Sequence, residues 1–284
     1  MSVTPETFIL FSHHTLTLSG SFYRASGNVK NHTILYFHGG GLIWGDRDDL
    51  PAEYIDLFLS AGYHFLTIDY PLAPEMALPE IYNHTVKAVE WFIAHFDTEL
   101  TIRSNTYSLF GRSAGAYLVL LLAGKSALSK RPEKIINFYG YASIQEPFYL
   151  MPSVYYQSFP SIPKSLVDQL IQPAPLVKGK LETRYAIYIY ARQKGRWLDI
   201  VLPDKTNKSN FSLTDEELAL LPPVFTAHSK TDQDVPFNQA VQLNEKISSS
   251  EFIPIEKANH DFDKDPKNEK ALAVYKAVID WLGQ

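Results

Sequence analysis

The apolar positions of this chain fall into two alternating patterns. Short continuous apolar and aromatic runs at 33–37, 64–70, 106–110 and 134–139 have the length and composition of buried strands. Between them apolar residues recur at helical spacing: Tyr54, Ile55, Phe58 and Leu59 within 51–60, then Ile81, Val86, Val89, Phe92 and Ile93 within 78–96. Gly62 closes the first helix. A further helix is predicted over 114–123. Near the start, 8–13 and 16–23 read as a hairpin whose second strand is loosened by Ser19 and Gly20. Near the end the pattern gives a strand over 224–228, a helix over 237–247, a strand over 252–256 and a helix over 267–282. Strands alternating with helices predict an α/β fold, with a mostly parallel, doubly wound sheet flanked by helices.

The alternation breaks between 143 and 221, where the chain is rich in proline and aromatic residues such as Phe148, Tyr149, Tyr155, Tyr156, Tyr185, Tyr188 and Trp197. This stretch is expected to be an insertion between two strands, folded over the active edge of the sheet as a cap or lid. Its aromatic residues either wall an apolar pocket or pack the cap on the body. With 284 residues and 45% hydrophobic side chains, the whole chain 1–284 fits one large domain carrying that insertion.

Two glycine-rich turns carry the candidate chemistry. Gly111-Arg112-Ser113-Ala114-Gly115 lies where the strand ending at 110 meets a helix. A sharp strand-to-helix turn needs glycines where side chains would collide, and it pushes the middle residue out beside the free N–H groups of the helix start. His38-Gly39-Gly40-Gly41 follows the strand at 33–37 and leaves its backbone N–H groups bare. A developing oxyanion needs donors of that kind. Gly-x-Ser-x-Gly alone is a weak signal; together the two turns point to acyl transfer through Ser113.

A serine needs a base, and the base needs a group that holds its tautomer. Of nine histidines, His260 lies in the loop between the last strand and the last helix, where an α/β sheet presents side chains to its active edge. His64 and His228 lie within strands and are expected to be packing residues. Asp232 and Asp234 follow the preceding strand, and both are candidates for the orienting acid. Asp232, nearer the strand end, is favoured; Asp261, adjacent to His260, is poorly placed to turn back on it.

With these residues in view, the chain resembles the α/β-hydrolases of the hormone-sensitive-lipase-like esterase group over nearly its whole length. His38-Gly39-Gly40-Gly41 resembles the group's oxyanion motif, and the segment from Asp69 to Glu75 resembles its Asp-Tyr-x-Leu-Ala-Pro-Glu segment. Asp232-x-x-Val235-Pro236 and His260-Asp261-Phe262 resemble its acid and base segments. The resemblance implies a triad of Ser113, Asp232 and His260, with the N–H groups of Gly39, Gly40 and Ala114 forming the oxyanion hole. It implies a serine carboxylesterase; the aromatic insertion suggests an apolar pocket suited to small to medium acyl or aryl esters, and a serine triad needs no metal and no cofactor. Arg112 departs from the group, which usually has an acid before the nucleophile; pairing with a nearby carboxylate is the expected fate of such a charge. An amidase or peptidase on the same fold, or a ligand-holding relative without turnover, are the rival readings.

Charge and composition narrow the partners. The formal net charge is −5 with no block of like charges, so no nucleic-acid partner is expected, only a small-molecule ester. There are no cysteines, which excludes disulfides and a thiol nucleophile. Met1 to Glu6 shows no basic region and no long apolar region of a signal peptide, and no apolar stretch is long enough to span a bilayer. A cytoplasmic location is expected, and a homodimer is left open.

Overall fold

A computed structural model describes residues 4–204 and 207–284. Residues 1–3, and residues 205 and 206 of the expected cap, lie outside the described residues. Eight strands form one sheet among the described residues: β1 (Glu6–His13), β2 (Leu16–Tyr23), β3 (Thr33–Phe37), β4 (His64–Ile68), β5 (Tyr107–Arg112), β6 (Ile135–Phe138), β7 (Val224–Ser229) and β8 (Ser250–Ile255). Their order across the sheet is β1-β2-β4-β3-β5-β6-β7-β8. The β1/β2 and β2/β4 pairs are antiparallel and the rest are parallel, which is the mostly parallel sheet expected from the alternation.

Residues of the inner strands are buried on both faces, so these strands read as continuous apolar runs rather than alternating ones. Their side chains still divide by the period of two. Ile34 and Tyr36 of β3 join the core under α1 (Ala52–Ser60) and α11 (Glu269–Leu282), while Leu35 and Phe37 join the core under α2 (Leu78–His95) and α3 (Ala114–Gly124). Helix α3 is buried on every side from Ala114 to Leu122 because the sheet covers one face and other elements cover the rest.

Most boundaries shift by a residue or two from the sequence pattern, and three of the shifts have a clear local reason. Strand β4 stops at Ile68, since the Asp69 carboxylate turns to accept the Ser19 N–H at 3.0 Å and Arg47 at 2.6 Å. Strand β5 runs on through Gly111 and Arg112, which pair with Asn137 and Phe138 of β6. Helix α11 starts at Glu269 rather than 267 because the Asn268 side chain caps it, accepting the Lys270 N–H at 3.0 Å.

Between β6 and β7 the chain forms short helices: α4 (Pro147–Leu150), α5 (Val154–Gln157), α6 (Lys164–Leu170), α7 (Leu181–Lys194), α8 (Trp197–Val201), a 3₁₀ turn (Lys208–Phe211) and α9 (Asp215–Ala219). The body is completed by α10 (Asn238–Lys246) between β7 and β8. The segment between β6 and β7 is stitched to the loop after β3. Gly45 and Gly179 exchange backbone hydrogen bonds of 2.8 Å, the Trp197 Nε1–H donates to the Gly41 carbonyl at 2.8 Å, and Arg184 Nε donates to the Ile43 carbonyl at 3.1 Å. The Arg184 guanidinium also forms a two-pronged pair with Glu75 at 2.6 and 2.7 Å, both side chains being almost fully buried.

Candidate active site

Ser113 stands between β5 and α3 with φ 53° and ψ −118°, a positive-φ conformation that a non-glycine residue adopts only where its surroundings enforce it. The enforcement is visible on both sides. A Cβ on Gly111 would run into the Gly115 carbonyl, and one on Gly115 would run into the Phe37 carbonyl, so both flanking glycines are required by close backbone approach. The Ser113 N–H is fixed to the Phe138 carbonyl at 2.9 Å. The Ala114 N–H opens α3 and has no partner within the helix.

The loop 38–41 runs against this turn: a Cβ on Gly39 would lie 3.3 Å from Ser113 Cβ. Gly40, at φ 98°, is wedged against the Trp44 carbonyl, where a side chain has no room. Below the loop, the Tyr70 hydroxyl lies 2.9 Å from the His38 carbonyl and 3.0 Å from that of Gly39, and its ring stacks on His38 at 4.2 Å. These contacts leave the Gly39 and Gly40 N–H groups without a partner among the described residues, next to the serine. Sequence reasoning placed Tyr70 in a recognisable segment without showing this supporting role.

The remaining side chains converge from two loops. His260 Nε2 lies 2.9 Å from Ser113 Oγ, and its Nδ1 lies 2.6 Å from Asp232 Oδ2. With the proton on Nδ1 the ring donates to Asp232 and accepts from the serine hydroxyl. Asp232 Oδ1 in turn accepts the N–H groups of Asp234 at 2.8 Å and Val235 at 3.0 Å. Of the two candidate acids, then, Asp232 meets Nδ1, while Asp234 Oδ2 lies 3.9 Å from Nε2 on the other side of the ring. Burial alone would raise the Asp232 pKa. The charge of His260 and the hydrogen bonds from His228 and His260 outweigh it and hold the carboxyl well below the usual carboxylate range. Burial would likewise lower the His260 pKa, but the Asp232 carboxylate, with Asp234 and Asp261, outweighs it and raises the ring above an ordinary histidine.

His228 corrects its expectation. It is fully buried, as a strand histidine should be, yet it is not mere packing: Nε2 lies 3.0 Å from Asp232 Oδ2 and donates to the Val235 carbonyl at 2.9 Å. The Asp232 carboxylate therefore sits between two imidazoles. The sequence signal was available, a titratable residue at the carboxyl end of a parallel strand four positions before the acid.

Arg112 pairs as expected. Its Nη2 lies 3.6 Å from Asp49 and its Nε 3.7 Å from Asp263. Asp263 also accepts the hydroxyls of Tyr139 and Tyr275, both at 2.7 Å, so the loop bearing His260 is anchored under the nucleophile turn. Nothing in the sequence pattern joined those five residues.

Over Ser113 opens a cavity of about 890 Å³, walled by Trp44, Tyr155, Tyr156, Tyr185 and Tyr188 and floored by Gly40 and His260. Both readings of the inserted aromatics hold: these tyrosines line the cavity, while Tyr149 and Trp197 stack at 4.1 Å and pack the segment. No helix among the described residues is long and apolar enough to cross a membrane.

A model of the alpha/beta hydrolase fold matches residues 34–264. The chain belongs to that family. The fold expected from the alternation and the family expected from the resembling segments are thereby met. Among solved structures of this fold, the chain is similar to a Staphylococcus aureus protein of unknown function, at 30% identity, 98% coverage of each chain and a TM-score of 0.85. An alpha/beta hydrolase superfamily protein from Enterococcus faecalis is 28% identical over 98% of each chain, with a TM-score of 0.82. Among curated relatives, a non-reducing polyketide synthase of Penicillium roqueforti is 26% identical over 97% of this chain, which spans only 13% of that protein's length. An esterase of Gibberella moniliformis is 26% identical over 54% of this chain and 48% of its own length.

Proposed function

We propose that the protein is a serine carboxylesterase that hydrolyses small to medium acyl or aryl esters through an acyl-enzyme on Ser113. The observation that carries this reading is the unbroken chain Ser113 Oγ, His260, Asp232, with gaps of 2.9 and 2.6 Å. In the first step the Ser113 oxygen bonds to the ester carbonyl carbon while His260 Nε2 takes the hydroxyl proton. Asp232 holds the ring and stabilises its imidazolium form. The N–H groups of Gly39, Gly40 and Ala114 donate to the carbonyl oxygen as it becomes an oxyanion. The carbon–oxygen bond to the alcohol then breaks, and the alcohol leaves with the proton from Nε2. Water attacks the acyl-enzyme by the same route, returning the proton to Ser113. The segment 143–221 acts as the cap that walls the acyl and alcohol sites. The esterase among the relatives supports the ester as substrate.

The test is hydrolysis of p-nitrophenyl acetate, butyrate and octanoate by the wild type and Ser113→Ala. The expected result is turnover that falls by roughly three or more orders of magnitude in the variant, with the shorter chains favoured. Wild-type turnover that persists in Ser113→Ala, or none on any of the three, overturns the reading.

A further inference from the structure

Asp232 and Asp234 flank the base ring on opposite sides, and only the first is used by the triad. Asp234 Oδ2 lies 3.9 Å from His260 Nε2, the nitrogen that faces Ser113, so this carboxylate borders the space through which the alcohol departs. It is held there from the cap. The Tyr188 hydroxyl lies 2.9 Å from both its oxygens, and Arg192 approaches Oδ1 at 3.4 Å and donates to the Asp234 carbonyl at 3.1 Å. Arg192 is 2% exposed and lies over the rings of Phe148, Tyr149, Tyr156 and Tyr188 at 4.8 to 5.9 Å. The cap thus already seats one cation against these ring faces.

The cavity side of the same wall has a matching shape. Trp44 and Tyr185 meet at 74° with centroids 5.5 Å apart, and Tyr156 and Tyr188 meet at 89° and 5.6 Å, which gives two aromatic corners beside the carboxylate. Electron-rich ring faces at right angles with a carboxylate at their edge suit a compact ammonium group. The positive charges around the cavity lie elsewhere. Lys257, Lys264 and Lys270 line its exposed rim, where solvent screens them, and Arg112 lies beneath the nucleophile turn with its own carboxylates. Asp234 Oδ2 lies 3.9 Å from His260 Nε2, close enough for its charge to be felt in the site.

We propose that Asp234 is a specificity-determining residue which, with the aromatic wall of Trp44, Tyr156, Tyr185 and Tyr188, selects esters bearing an ammonium group in the alcohol part and disfavours anionic ones. The inference rests on the serine-esterase reading above. A charge–charge interaction across a few ångströms of partly buried site, trimmed by the opposing Arg192, is worth about tenfold in kcat/KM.

The experiment compares acetylcholine, its uncharged analogue with carbon in place of nitrogen, and an acetate ester of similar length ending in a carboxylate. The wild type is expected to favour the cationic over the anionic ester by about tenfold or more, and added salt should shrink the ratio. Asp234→Asn should bring the ratio close to one, mainly through KM. Equal losses on all three esters in Asp234→Asn would show a merely structural role and overturn the inference. So would wild-type turnover of the uncharged ester with no charge preference, a result that needs no variant. Turnover of p-nitrophenyl esters without turnover of any of these three also overturns it while leaving the esterase reading standing. No turnover of any ester overturns both.

Discussion

The sheet and the segment between β6 and β7 solve the same problem with opposite means. The sheet brings its reactive groups together through backbone: Ser113, Asp232 and His260 sit in loops at the ends of β5, β7 and β8, and hydrogen bonds between strands fix how those ends are spaced. The inserted segment contributes no strand to the sheet, and beyond the Gly45–Gly179 backbone pair it holds to the body largely through side chains. Arg184 reaches Glu75 and the Ile43 carbonyl, Trp197 reaches the Gly41 carbonyl, and Tyr188 with Arg192 reaches Asp234. The difference separates chemistry from selection. In the proposed reading, the contacts among Ser113, His260 and Asp232 involve body residues alone, while the segment between β6 and β7 walls the cavity and grips the loop 38–41.

The sharpest break of the body is at the acid. Asp232→Asn leaves the shape intact but presents an amide to His260 Nδ1, which favours the wrong tautomer, and kcat should drop by about four orders of magnitude with little change in stability. Steady-state kinetics and a thermal melt together check this; an activity within tenfold of wild type would mean that Asp232 does not hold the base. The matching break on the cap side costs stability first. Arg184→Met strands the Glu75 carboxylate in a buried place, and such a loss costs about 3–5 kcal/mol. Denaturant unfolding measures it, and a loss below about 1 kcal/mol would show that the pair is solvated. Adding Glu75→Leu to Arg184→Met should recover most of the loss, because two apolar groups leave no charge unpaired.

The same contrast decides what the sequence made legible. The body could be read from local pattern because an inner strand buried on both faces must be a continuous apolar run, as at Thr33–Phe37, and because a turn as tight as that at Ser113 admits only glycines at 111 and 115. Asp232 and His260 were legible by their position after strands. Two of the pattern's errors in the body arise where a polar side chain cuts an element short, as Asp69 does to β4 and Asn268 to α11, while β5 runs further than its apolar run because its end pairs with β6. Contacts that link distant side chains left no periodic trace: Arg112 with Asp263, Arg184 with Glu75, Tyr188 with Asp234. Each lies between residues separated by scores of positions, on elements whose mutual packing no local pattern encodes. His228 is the intermediate case. Its burial was legible, but its direction was not, since a strand places a side chain on one face or the other without saying which neighbour it meets there.

That histidine offers a smaller test of how the body holds its acid. His228→Phe removes an Nε2–H shared between the Val235 carbonyl and, at 3.0 Å, Asp232 Oδ2, worth at most about 1.5–3 kcal/mol to the charged group. The expected result is a fall in kcat of roughly tenfold to a hundredfold with KM little changed. His228→Gln, which can place an amide N–H toward the carboxylate, should recover part of it. Equal kcat values for the phenylalanine and glutamine variants would reduce His228 to a space-filling role.

The smallest effect concerns both regions at once, because Asp234 belongs to a body loop but is clamped by the cap. In the proposed mechanism His260 must be unprotonated to accept the Ser113 proton. Its pKa is raised, by Asp232 foremost and then by Asp234 and Asp261, against the lowering effect of burial. A raised pKa keeps the ring protonated to higher pH, so the acid limb of kcat/KM should have its midpoint above the ordinary histidine value of 6.5, with activity lost as pH falls through it. Neutralising either outer carboxylate removes a stabiliser of the imidazolium and must move that midpoint down. Asp234→Asn should move it further than Asp261→Asn, since Asp234 contributes more to the rise. If the cap is what holds the Asp234 carboxylate near Nε2, Tyr188→Phe should move the limb in the same direction as Asp234→Asn but by less, because the charge stays and only its clamp is gone. pH–rate profiles of the four proteins on one p-nitrophenyl ester read all of these shifts. An upward shift in Asp234→Asn would mean that burial of the ring outweighs the charge of that carboxylate, and that the cap influences the base by excluding water rather than by positioning an acid.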